Sequence, residues 1–185
     1  RKNMTKLIIF DLDGVLVDAK NIHYKALNKA LGEKYSITEK EHLSIYDGLK
    51  TIQKLNMLTE RKGLDPKLHS QISENKQKLT REMLSEQKPI EEICELFLEL
   101  EKLGYKIGVC SNSIRRTVLT SLSQAKIIQH CSVILSNEDV KNAKPHPEIY
   151  WKAMSMMGVL PEETIIVEDS PAGLLSAQRS RANYI

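Results

Sequence analysis

The chain has 185 residues, with 27 Lys+Arg against 24 Asp+Glu for a net charge of +3, and an apolar fraction of 41%. That length suits one modest domain or a core with an insertion, and the apolar fraction can bury a core, which excludes disordered, fibrous and collagen-like classes. Basic residues are interleaved with Glu throughout, so no stripe is present to track a phosphate backbone and nucleic acid is not an expected partner.

In chain order, Met4 reads as the natural start, leaving Arg1 to Asn3 outside the fold. Residues 6–10 (Lys-Leu-Ile-Ile-Phe) form a short continuous apolar run ending at Asp11, the signature of a strand buried on both faces. Residues 19–88 then hold only helical patterns. These are Ile22-Ala26-Leu27-Ala30-Leu31 stopped by Gly32, then 39–46, 51–58 and 68–84. A parallel strand pair needs a crossover of only about a dozen residues, so an insertion this long is expected to be a separate helical cap on an α/β core formed by 1–18 and 89–185.

From Pro89 onward strand and helix alternate. A helix with apolar positions Ile93, Leu96, Phe97, Leu100 and Leu103 precedes a strand at 106–110. A helix at 115–123, a strand at 132–135, a helix at 147–157, a strand at 164–167 and a helix at 172–180 follow, with 182–185 a fifth strand candidate. The predicted fold is a Rossmann-like parallel sheet with helices on its faces. Ile185 falls inside that fifth strand, so the C-terminal edge of the sheet is expected to be cut away. Met154, Met156 and Met157 near Trp151 read as core filling.

No apolar run approaches the ~20 residues of a membrane span, and no signal-peptide core is visible, so no membrane partner is expected. Cys94, Cys110 and Cys131 show no metal or disulfide spacing and read as free thiols of a cytoplasmic protein.

In open parallel sheets, ligands bind beyond the carboxyl ends of strands. Here those ends carry Asp11-Leu-Asp13-Gly-Val-Leu-Val-Asp18, Ser111-Asn112-Ser113, Lys144-Pro145 and Glu168-Asp169-Ser170. Carboxylates brought together repel each other unless a cation lies among them. A hard cation such as Mg²⁺ suits Asp11, Asp169 and a nearby backbone carbonyl. The ion would also admit an anionic substrate, with Lys144 and the Ser111 hydroxyl as further donors, and so a phosphate ester is implied.

DLDGVLVD (11–18), SNS (111–113), KPHPEIY (144–150) and VEDSPAG (167–173) occur in the order of the four motifs of the haloacid dehalogenase-like (HAD) hydrolase superfamily, which the chain resembles from Lys6 to Asn183. The place of the insertion resembles the helical-cap subgroup, which includes β-phosphoglucomutase and small-molecule phosphatases. The resemblance implies Asp11 as the nucleophile forming an aspartyl-phosphate, and Asp13 as general acid and then base. It implies Ser111 and Lys144 as phosphate holders, with Asn112 a weaker candidate, and Lys144 also compensating Asp11. Asp11, Glu168, Asp169 and the backbone carbonyl of Asp13 would hold Mg²⁺, with Asp169 the better inner-sphere candidate of the acidic pair. Val15 departs from the pattern, standing where many relatives have Thr.

Singly each motif has a bland reading as a turn or helix cap; together, at four strand ends in family order, they indicate a site. Asp18 is read as bracing the turn into the cap. His23 and Lys76 lie at spacings where some relatives place substrate contacts, and Gly48 to Thr51 resembles a loop facing the site, but each is read as a solvated helix or loop residue. The charged residues of 60–88 read as an exposed face. The function expected is a Mg²⁺-dependent phosphohydrolase for a small phosphorylated metabolite. The alternatives are a sugar phosphomutase of the β-phosphoglucomutase type and a catalytically idle binding protein, against which the complete motif set argues. Oligomeric state is left open.

Overall fold

A computed structural model describes residues 4–185; Arg1 to Asn3 lie outside the described residues. Five strands form the expected parallel sheet: β1 (Leu7–Phe10), β2 (Lys106–Cys110), β3 (Val133–Leu135), β4 (Thr164–Val167) and β5 (Asn183–Tyr184), in the order β3-β2-β1-β4-β5. β1 is central, with Leu7 opposite Lys106 on one side and Thr164 on the other. The chain adds β2 and β3 to one flank and β4 and β5 to the other, so the order reverses at β1, where a crevice opens at the carboxyl ends.

Both faces of the sheet are covered, which is why its strands read as unbroken apolar runs. On one face, α5 (Glu91–Lys102) and α6 (Arg115–Gln124) pack Phe97, Val118 and Leu122 against Phe10, Ile107 and Val109. On the other, α7 (Glu148–Met157) and α8 (Pro171–Ser180) pack Ile149, Tyr150, Met154 and Ala177 against Leu7, Ile9 and Ile166.

One expectation about these helices fails in part. The buried stripe of α5 is narrow: Phe97 is buried and Ile93, Cys94 and Leu100 partly so, whereas Leu96 is 39% and Leu103 70% exposed. Of the three methionines read as core filling, Met154 is buried and Met157 packs partly against the same cluster, but Met156 faces outward at 56% exposure, as does the neighbouring Trp151 at 48%. A helix resting on a sheet buries only the side chains within reach of that plane, and these lie beyond it.

Between β1 and α5 lie α1 (Lys20–Leu31), α2 (Glu39–Glu41, followed by a wider π-type turn over His42–Tyr46), α3 (Thr51–Lys62) and α4 (His69–Leu84). They carry an apolar cluster of their own, including Leu27, Tyr46, Leu55, Leu58 and Ile72, separate from both sheet-face clusters. Thr38 and Glu41 close a reciprocal capping box ahead of α2, Glu41 N–H donating to Thr38 Oγ1 at 3.1 Å and Thr38 N–H to Glu41 Oε2 at 2.7 Å. All three cysteines are free, and burial pushes the Cys131 thiol up to about 12. Among the described residues no helix is long and apolar enough to cross a membrane.

Candidate active site

The residue after β1 carries the first acid. Asp11 N–H continues the ladder to the Val167 carbonyl at 2.9 Å, and the chain then folds on itself, Leu16 and Val17 N–H donating to the Leu12 carbonyl at 2.9 and 3.2 Å. Gly14 turns this loop at φ +83°, where a Cβ would also collide with Asp169 Oδ2 and the Lys20 stem, so glycine is required by backbone and by space alike. The loop brings Asp13 into the cavity that Asp11 lines, together with Ser111, Asn112, Ser113 and Lys144.

Lys144 organises the floor. Although its side chain is almost wholly buried, Nζ donates to Asp11 Oδ1 (3.0 Å), the Cys110 carbonyl (2.8 Å) and Glu168 Oε1 (2.5 Å), which uses all three ammonium protons. Burial disfavours the Lys144 charge, but the carboxylates of Asp11 and Glu168 outweigh it and hold the proton well above the usual lysine range. Tyr150 O–H also donates to Glu168 Oε1. Asp11 shows the opposite balance. Burial, with Glu168 and Asp13 nearby, raises its carboxyl well above the ordinary range despite Lys144.

Ser111 accepts the Ser113 N–H at Oγ (3.1 Å), so its own O–H is free to donate into the cavity. Asn112 is spent differently. Its amide donates to Gly48 O (2.7 Å) and Lys144 O (3.1 Å), and its Oδ1 accepts the Lys144 N–H (3.1 Å). Both side-chain donors are therefore committed to bracing the Lys144 loop and the 46–50 loop, and phosphate contact from Asn112 would have to come from its backbone N–H. At Gly48 a Cβ would strike Ser170 Oγ, so the helical unit approaches the sheet ends as closely as a bare backbone allows.

Asp11, Glu168 and Asp169 each offer a carboxylate oxygen within 4.8 Å of one another. The set fits a hard divalent cation on its chemistry: all donors are oxygens, Asp169 Oδ1 is buried with no hydrogen-bond partner, and burial raises the Asp169 carboxyl. Because Glu168 Oε1 is taken by Lys144 and Tyr150, Asp11 and Asp169 are the better direct ligands. Lys20, at the start of α1, already places a cation there, its Nζ 2.7 Å from Asp169 Oδ2 and 3.0 Å from Asp47 Oδ2.

The roof overturns one expectation. His23 and Lys76 are not solvated: they are 7% and 4% exposed and joined to Asp13 in a row. His23 Nε2 lies 2.9 Å from Asp13 Oδ2, and Lys76 Nζ lies 3.0 Å from His23 Nδ1. Burial, reinforced by Lys76 and Lys54, depresses the His23 proton affinity below its ordinary value, which Asp13 only partly offsets. The ring is then neutral near pH 7, and the tautomer that accepts from Lys76 at Nδ1 carries its proton on Nε2, next to the Asp13 carboxylate. Burial pushes the Asp13 carboxyl up, but His23, Lys76 and Lys54 more than compensate and hold it low. Burial brings Lys76 down to about 7.

Asp18 is exposed, and its carbonyl accepts from Gln87 Nε2 at 2.9 Å, tying the two linkers between helical unit and sheet together. Lys20, Lys54, Asp47 and Tyr150 escaped the sequence reading. Only Tyr150 carried a signal, six residues past Lys144 inside the third motif and in the first turn of α7, where its ring lies beneath the lysine.

The model of the haloacid dehalogenase-like hydrolases matches residues 8–185, and the chain belongs to that family of enzymes. It is 28% identical over 176 residues to a phosphorylated carbohydrates phosphatase of Thermotoga maritima, covering 92% of this chain and 79% of that protein. It is 29% identical over 183 residues to the pyrophosphatase PpaX of Bacillus mycoides, covering 94% and 79%. Among solved structures it resembles a β-phosphoglucomutase from Clostridium difficile, with TM-score 0.85, 26% identity and coverage of 98% and 83%. It also shares the fold of CbbY from Rhodobacter sphaeroides in complex with phosphate, with TM-score 0.83, 22% identity and coverage of 98% and 85%.

Proposed function

We propose that the chain is a Mg²⁺-dependent cytoplasmic phosphatase of small phosphorylated compounds that works through an aspartyl-phosphate on Asp11. The observation that carries the reading is the arrangement of Asp11 itself, with Oδ1 fixed by Lys144 while Asp13 lines the same cavity. The two relatives named as phosphatases point the same way.

In this reading the substrate phosphoryl group lies between Asp11, Lys144 and the Ser111 hydroxyl. The Asp11 oxygen not held by Lys144 attacks phosphorus, and the bond to the leaving oxygen breaks as that oxygen takes a proton from Asp13. In the second half, Asp13 removes a proton from water, whose oxygen attacks phosphorus and frees Asp11 and inorganic phosphate. Mg²⁺ held by Asp11, Asp169 and the Asp13 carbonyl would supply charge neutralisation for the phosphoryl oxygens. Asp13 rests ionised, so it needs a proton supply, and the Lys76–His23–Asp13 row supports one: Lys76 gives a proton to His23 Nδ1 as the Nε2 proton passes to Asp13, leaving a neutral lysine and the other tautomer of neutral imidazole. Residues 19–88 serve as the cap, which excludes bulk water when closed and opens for exchange.

Asp11→Asn tests the reading. Turnover of a generic phosphate ester with Mg²⁺ should vanish while the circular dichroism spectrum stays unchanged, and undiminished turnover would refute it. Likeness to a β-phosphoglucomutase supports a second reading, a sugar phosphomutase with the same core residues. It would be favoured by a sugar phosphate isomerised faster than phosphate is released.

A further inference from the structure

We propose that a second crevice, between the start of α1 and α2 and lined by Asp18, Glu39 and the buried imidazole of His42, binds a small organic cation of the guanidinium class. The assignment does not depend on the phosphatase reading, because none of these three side chains lines the reacting cavity.

His42 is the group that starts the argument. It is 1% exposed, and neither ring nitrogen has a hydrogen-bond partner. Asp47 Oδ1 lies 4.0 Å from Nε2, beyond hydrogen-bond reach, and Asp47 is already engaged by Lys20. Burying an imidazole without partners is costly, and a ligand that supplies one removes part of that cost. Burial, reinforced by Lys54, pushes the His42 proton affinity down to about 4, so the ring is neutral near pH 7 and offers one acceptor nitrogen. With its proton on Nε2, the nitrogen nearer Asp47, that acceptor is Nδ1. The π-type turn that holds His42 closes with Asp47 N–H donating to the His42 carbonyl at 2.8 Å, and such turns recur at functional sites.

Size, charge and spacing narrow the ligand. The crevice holds about 120 Å³. A cavity of about 150 Å³ takes a molecule the size of benzene, so this one takes a small head group. Its charge selects a cation: the carboxylates of Asp18 and Glu39 line it and have no partner among the described residues, whereas Lys20, which also lines it, is neutralised by Asp47 and Asp169. The spacing selects the kind of cation. Among the described residues only Asp11, Glu168 and Asp169 bring ligand atoms within 4.8 Å of one another, so Asp18, Glu39 and His42 do not converge on a point as a metal ion or an ammonium group requires. A guanidinium spreads five donors around a plane and bridges acceptors set farther apart. It also stacks on aromatic faces, and Tyr24, its ring centroid 5.4 Å from that of His42, lines the same crevice. A free guanidinium compound and an arginine side chain share this chemistry.

Methylguanidinium, methylammonium and Zn²⁺ are titrated separately into the wild-type protein at constant ionic strength, and binding is followed by the NMR signals of the Tyr24 and His42 rings. Methylguanidinium should shift these signals saturably and bind about tenfold more tightly than methylammonium, the fold-change that one further charge-assisted hydrogen bond supplies. Glu39→Gln and Asp18→Asn should each weaken its binding about threefold, as expected for carboxylates at an exposed rim. His42→Phe should abolish the preference for methylguanidinium, read from the Tyr24 signal. If that variant folds poorly, the two rim variants decide alone. N-acetyl-arginine amide separates the two sources: binding as tight as that of methylguanidinium supports an arginine side chain, and weaker binding supports a free compound. Equal affinity for the two organic cations would overturn the proposal. So would affinities that Glu39→Gln and Asp18→Asn leave unchanged, or a His42 signal that responds to Zn²⁺ at lower concentration than to methylguanidinium.

Discussion

The floor and the roof of the cavity handle charge in opposite ways. On the floor, Asp11, Glu168 and Lys144 form a closed set in which every lysine proton has an acceptor. On the roof, Lys54, Lys76 and His23 crowd cationic or near-cationic groups into a buried wall with Asp13 as their main counterweight. A saturated network fixes geometry, as a reacting carboxylate requires, whereas an unsaturated one is completed by what it binds. The sheet ends therefore hold a closed set of charges and the helices above them an open one.

The largest effect is expected from breaking the floor. Lys144→Met leaves Asp11 and Glu168 buried without their shared cation, so it should destabilise the fold by about 3 kcal/mol in urea unfolding and abolish turnover. A loss below about 0.5 kcal/mol, the size of an ordinary surface change, would show that the trio is not closed.

On the roof, Lys76→Met should raise stability in a pH-dependent way. The unfolded chain keeps the Lys76 proton up to about 10.4, while the folded chain releases it at about 7. Between these values the unfolded state binds more protons, so wild-type stability rises with pH, and below pH 7 the penalty is complete. The Tm advantage of Lys76→Met over wild type should therefore be large at pH 6 and shrink by pH 9. A gap that does not change with pH would contradict the buried-lysine picture.

Where floor meets roof, Lys20 competes with any cation for Asp169. Lys20→Met should tighten Mg²⁺ binding severalfold by calorimetry, whereas weaker binding would mean that Lys20 organises the site instead of occupying it. The smallest effect belongs outside both regions. Met156, 56% exposed, should tolerate replacement by Gln within about 0.5 kcal/mol.

The two regions were also unequally legible in the sequence. Strands buried on both faces must be continuously apolar, so Leu7 to Phe10 and Thr164 to Val167 stand out, and the polar residues that end them fall together at the crevice by topology alone. The roof gives no such signal. His23 and Lys76 are 53 residues apart and meet only because α1 packs on α4. A buried lysine on a charged helix has the same spacing as an exposed one, so α4 reads as solvated surface. Lys20 is equally silent, because its partners Asp47 and Asp169 come from distant loops.

The covalent step on Asp11 is the most direct point of attack. Wild-type protein mixed with excess phosphate ester and Mg²⁺, quenched in acid within the first turnover and digested, should yield the Asp11 peptide carrying one phosphoryl group, and Asp11→Asn protein should yield none. Steady phosphate release from wild-type protein with no trace of phosphorylated Asp11, or release from Asp11→Asn at the wild-type rate, would contradict it.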